Sequence, residues 1–143
     1  MAAGWVLLEV GHRGTRPDQG SRPDQEAYTA DEGRERWRAG MWLLIREGSA
    51  ARNLQALLPL LAEYGPGRIA FCTDDREPEH IADDGHINSM VRDAVAYGIS
   101  PEEAPVCATL SPALWHGLAH PGAAAPGYHS GPLRPAAPHR SGA

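Results

Sequence analysis

The stretch Arg68 to His86, RIAFCTDDREPEHIADDGH, constrains the fold of this chain more than any other. Ile69, Ala70, Phe71 and Cys72 form an apolar run that follows Gly65-Pro66-Gly67 and stops at Thr73, Asp74 and Asp75. Such punctuation around a short continuous apolar run is the pattern of a fully buried strand. In a parallel α/β protein the carboxyl ends of strands open onto the ligand crevice, so Asp74 and Asp75 are candidates for metal ligation or proton transfer. The structural alternative is that one aspartate caps the next helix and the other pairs with Arg76.

A second run, Met41 to Ile45, has the same character and ends in Arg46, Glu47, Gly48 and Ser49. Before it, Thr29 and Glu32 stand at the spacing of a capping box, which predicts a helix through Arg38 that Gly40 ends. After it, Leu54, Leu57, Leu58 and Leu61 give helical periodicity to Ala50 through Tyr64. Beyond the acidic loop, Met90, Val91, Ala94 and Val95 predict a helix from about Ile87 to Tyr97, with Gly98 as its C-terminal cap. Ser100-Pro101 opens another helix, and Ser111-Pro112 one more that runs through Leu118. Strands alternating with helices in this way predict parallel α/β architecture.

The chain has 143 residues, enough for one domain with a core. A complete α/β barrel needs roughly 250 residues, so a complete one is not expected. A formal charge of -5 and a pI near 5.7 argue against a nucleic-acid-binding surface. Cys72 and Cys107 lie in apolar surroundings and outside any CxxC pair, which predicts reduced, buried thiols in a cytoplasmic protein. The apolar patch Trp5 to Leu8 is too short to span a membrane and has no basic region before it, so it suits a strand better than a signal peptide. Such a strand would deliver His12 at its carboxyl end, where a neutral imidazole can ligate metal, although a lone histidine is more often a surface or capping residue.

Two segments fall outside the alternation. Arg13 to Gln25, with Arg-Pro-Asp-Gln occurring twice, has no apolar periodicity and reads as irregular loop. Residues 119–143 are dominated by Pro, Gly, Ala and His and are expected to be a disordered tail, following a folded unit over 1–118.

Four segments taken together resemble one family. Ile45-Arg-Glu-Gly-Ser-Ala-Ala-Arg-Asn-Leu54, Phe71-Cys-Thr-Asp-Asp-Arg76, Asp84-Gly-His-Ile87 and Ala108-Thr-Leu-Ser-Pro-Ala113 are similar, in this order, to bacterial adenine deaminases of the amidohydrolase superfamily. The resemblance covers about Thr29 to Tyr128. It implies part of a metal-dependent hydrolase (β/α) barrel and a cytoplasmic enzyme of purine salvage and adenine catabolism. The implied reaction is hydrolytic deamination of adenine to hypoxanthine and ammonia, with Mn2+ or Fe2+ as the metal. By the same resemblance, Asp74 is the carboxylate of the last barrel strand, which binds metal and moves a proton between the attacking water and the leaving amine. Gly11-His12 is similar to a metal-ligand position on an earlier strand, and Glu47, Ser49, Asp75 and His86 fall in motifs near the crevice. Glu47 and Ser49 have the alternative of capping the helix that follows.

The departures from the family pattern are also specific. Asp24-Gln25-Glu26 stands where the family has Asp-His-Glu, so Gln25 occupies a ligand histidine's place, and a neutral amide is a poor substitute for imidazole. The paired-histidine motif of the first barrel strand is absent from the sequence, as is the first half of the barrel. The expectation is a chain translated from a truncated or frame-disrupted gene. Two further readings stand beside the enzyme: a non-catalytic fragment that associates with another chain, or with its own copies, through open barrel edges, and a hydrolase of another purine or cyclic amide. Adenine is the expected small-molecule partner, with no nucleic acid and no membrane.

Overall fold

The computed structural model describes residues 23–24, 27–118 and 126–127. Among them, β1 (Pro23–Asp24), β2 (Trp42–Arg46) and β3 (Ile69–Cys72) form a parallel sheet in the order β1-β2-β3. The helices are α1 (Ala30–Arg38), α2 (Leu54–Tyr64), α3 (Pro78–Asp83), α4 (Ile87–Tyr97), α5 (Glu103–Ala108) and α6 (Leu110–Trp115). The fold is α/β, as the alternation predicts. Pro23–Asp24 belongs to the stretch expected as irregular loop, yet it pairs with Trp42 and Leu43. His12, Gln25 and nearly all of the expected tail lie outside the described residues.

Period-two alternation within the strands assigns the sheet its two faces. Leu43, Ile45, Ile69 and Phe71 share one face and pack with the buried leucines of α2, Met90 and Ala94 of α4, and Ala104 and Cys107 of α5. The other face carries Trp42, Leu44, Ala70 and Cys72. There Trp115 of α6 lies with its ring centroid 5.6 Å from that of Trp42, and Pro112, Trp115 and His116 enclose a small cavity of about 20 Å³ against Leu44, Ala70 and Cys72. Helix α1 closes on α2 at Gly33, where a Cβ would stand 2.6 Å from Leu60 Cδ1.

Ile69, Ala70 and Phe71 of β3 are each at most 1% exposed, and both α5 and α6 lie against the strand.

Local signals set the boundaries of α1 and α4. Thr29 Oγ1 accepts from the Glu32 amide at 3.2 Å while the Glu32 carboxylate accepts from the Tyr28 and Thr29 amides, the reciprocal capping box expected at α1. The amides of Tyr28 and then Thr29 hold the Glu32 carboxyl below its usual range. Helix α4 has the predicted limits, with Gly98 as its cap at φ 120°.

Elsewhere tertiary bonds moved the ends. Helix α2 starts at Leu54 rather than Ala50, because Glu47 and Arg52 form an antiparallel bridge that holds the intervening residues out of the helix. The stretch beyond Asp75 contains α3, where only an acidic loop was expected. Helix α5 begins at Glu103 after a turn, although Ser100 Oγ still accepts the Glu103 amide at 3.1 Å. Ser111 is not an N-cap: its hydroxyl is buried and donates to the Pro66 carbonyl at 2.7 Å, inside α6. That helix stops at Trp115 rather than Leu118, since Gly117 takes φ 59° and the Leu118 amide turns back to the Ala113 carbonyl.

Both cysteines are free and buried, and burial pushes each thiol up to about 12. No helix among the described residues is long and apolar enough to cross a membrane.

Candidate active site

The parallel register sets Arg46 beside Cys72, so the loops leaving β2 and β3 emerge at the same end of the sheet. They touch at Gly48. A Cβ there would run into the Asp75 carboxylate and stand 3.0 Å from the Thr73 carbonyl, so the approach of the two loops requires glycine.

Asp74 sits at this junction with φ 51°, the single positive value on a non-glycine residue among those described. Aspartate tolerates that region better than most residues. Its Oδ2 accepts from Arg46 Nη1 at 3.0 Å, in an ion pair whose side chains are 11% (Arg46) and 31% (Asp74) exposed. Arg46 Nη2 donates to the Tyr28 hydroxyl at 2.8 Å, and the guanidinium lies 5.6 Å from the Tyr28 ring centroid. Buried Asn53 ties these parts together, accepting the Arg46 amide at 2.6 Å and donating to the Ala27 carbonyl at 2.8 Å.

The pairing with Arg76 expected as the structural alternative is therefore not what forms. Arg76, 3% exposed, donates from Nη1 to the Glu47 carbonyl at 3.0 Å and from Nη2 to the Asp84 carboxylate at 3.2 Å. Nor does either aspartate cap α3. Ser49 Oγ takes that part, accepting the Glu77 amide at 2.8 Å and lying 2.7 Å from His80 Nδ1, to which its hydroxyl proton is then free to donate. His86 precedes α4, with Nε2 3.3 Å from Thr73 Oγ1.

The Glu47 carboxylate caps α2 from a distance, accepting the Leu54 amide at 3.4 Å with Arg52 Nε 3.8 Å away. Burial raises its pKa above the ordinary 4.5, against the lowering effects of the Leu54 amide, Arg52 and Arg76. Folded Glu47 therefore holds its proton to higher pH than the unfolded chain does, and this residue's contribution to stability falls as pH rises upward from about 4.5. Glu47→Gln is expected to remove that part of the slope when urea unfolding is followed across the acid range. A slope identical to wild type would show that Glu47 titrates normally.

Beside Glu47 opens a polar hollow of about 350 Å³, lined by Arg52, Arg76, Asp84, Arg92 and Asp93 among others. Arg76 and Asp84 pair within it, and its lining residues offer no aromatic face on which a purine could stack.

The sequence-predicted residues that are described, Glu47, Ser49, Asp74, Asp75 and His86, thus share one end of the sheet without converging on one point. Among the described residues no three His, Cys, Asp or Glu side chains come together in a group that could hold a metal ion. Asp74, the expected ligand, already meets a guanidinium. The described residues do not fit a metal centre by themselves. Sequence reasoning missed Arg46, Tyr28, Asn53 and His80. Of these, only Arg46 carries a signal, as a charged residue closing an apolar strand.

No family model matches the chain. The chain is 46% identical over 111 residues to the adenine deaminase of Deinococcus radiodurans. It is also 46% identical over 108 residues to that of Methanoregula boonei, and 46% over 107 to that of Kosmotoga olearia. These matches cover 78%, 76% and 75% of the chain. The chain is an adenine deaminase-like segment. It spans only 20%, 19% and 18% of the three relatives' own lengths. The resemblance read from the motifs is therefore shown, and the adenine deaminase-like segment corresponds to part of a longer enzyme.

Proposed function

We propose that this chain supplies part of the catalytic (β/α) barrel of an adenine deaminase-type hydrolase, which converts adenine and water to hypoxanthine and ammonia. The observation that carries the reading is the position of Asp74. It stands at the carboxyl end of a parallel strand, in a left-handed backbone conformation, with Oδ2 held by Arg46. In the reaction, water oxygen bonds to the purine carbon bearing the amine. Asp74 takes a proton from that water and returns it to the amine nitrogen, which leaves as ammonia as its bond to carbon breaks. Glu47, Ser49, Asp75 and His86 shape the loops around this carboxylate. Manganese or iron, implied by the family, would need ligands in addition to the described residues. Two free thiols suit a reducing, cytoplasmic setting.

A chimera tests the reading. The matching stretch of the Deinococcus radiodurans adenine deaminase is replaced by this chain's, and ammonia release from adenine is followed with Mn2+. The expected result is adenine-dependent release that Asp74→Asn abolishes. A folded chimera that releases no ammonia, or one in which Asp74→Asn has full activity, would refute the assignment.

A further inference from the structure

We propose that Arg46 is the resident cation of Asp74, so that a guanidinium, rather than a divalent metal ion, neutralises this carboxylate in the chain as it folds. The pair is held at 3.0 Å between side chains that are mostly withdrawn from water. The guanidinium is fixed from other directions as well. Nη2 donates to the Tyr28 hydroxyl at 2.8 Å, the Tyr28 ring lies beneath it, and the Arg46 backbone is anchored to buried Asn53. Arginine does not shed its proton in a protein, so this positive charge cannot be switched off. A divalent ion arriving at Asp74 would meet a fixed like charge within a few ångströms, at a place where solvent screens poorly.

Among the described residues the ligand inventory points the same way. His86 lies against Thr73, Glu47 lies against the α2 amide, and Asp84 is taken by Arg76. None of these replaces Arg46 at Asp74, and a carboxylate alone is a poor metal site. The Arg46–Asp74 pair also links the end of β2 to the loop that leaves β3.

The test follows backbone amide signals of the full chain by NMR while Mn2+ is added, and it does not depend on deaminase turnover. At equimolar Mn2+, the Asp74 and Asp75 signals of the wild-type chain should broaden no more than those of exposed acids such as Asp83. In Arg46→Gln the apparent Mn2+ affinity at Asp74 should rise about tenfold, and Asp74→Asn in that background should abolish the gain. Tyr28→Phe, which keeps the ring and releases Nη2, gives a second arm with a smaller gain in the same direction. Selective broadening at Asp74 in the wild-type chain would overturn the proposal, whatever the variants do. So would a folded Arg46→Gln chain with no gain.

Discussion

Phe71→Ala is expected to destabilise the chain by about 3–5 kcal/mol, the usual cost of emptying a buried phenylalanine site. Phe71 is 1% exposed in the middle of β3, on the face that meets α2, α4 and α5, and it pairs in register with Ile45. Truncation removes the transfer free energy of the ring and leaves a void that strands held in a parallel ladder cannot collapse to fill. Domains of this size are stable by about 5–15 kcal/mol, so the variant would sit near the unfolding threshold. Urea unfolding followed by circular dichroism measures it. With a slope of about 2 kcal/mol/M the midpoint should fall by about 2 M. A loss below about 1 kcal/mol would mean that β3 is not the centre of the core.

Asn53→Ala should cost about 2–4 kcal/mol, through hydrogen bonds rather than volume. The Asn53 side chain is the partner of the Arg46 amide on one side and of the Ala27 carbonyl on the other, at a position 2% exposed. Alanine leaves both backbone groups without that partner in a dry environment. It also loosens Ala27 and Tyr28 from the end of β2, and with them the phenol that steadies Arg46 against Asp74. Asn53→Asp keeps the acceptor and loses the donor, so it should recover part of the loss. The same unfolding experiment decides the matter: equal stability of wild type and Asn53→Ala would show that this side chain ties nothing together.

The loss at Asn53 connects stability to the site, because the elements that hold the fold's edge also hold its candidate catalytic carboxylate. Asp74 does not stand free at a strand end awaiting a ligand. It is one end of a chain of contacts running from Ala27 through Asn53 and Arg46. Its Oδ2 is already committed to the Arg46 guanidinium.

The sequence by itself determined the parts that depend on neighbours a few residues apart. The apolar run Ile69–Cys72, the capping box of Thr29 and Glu32, and the amphipathic period of Ile87–Tyr97 each appear in the structure where the residues place them. The motif segments likewise carry the likeness to the adenine deaminases in the sequence alone. Tertiary structure alone decided the partners. Arg46 meets Asp74 across 28 positions, Ser49 meets His80 across 31, and Ser111 reaches Pro66 across 45. Periodicity and capping are properties of a local helix or strand, and they repeat along the chain wherever the same residues recur. Which carboxylate meets which guanidinium is instead set by the register of β2 on β3 and by the packing that fixes it. That register aligns Arg46 with Cys72 and so brings Asp74 within reach of an arginine, leaving Arg76, two residues away in sequence, to Asp84.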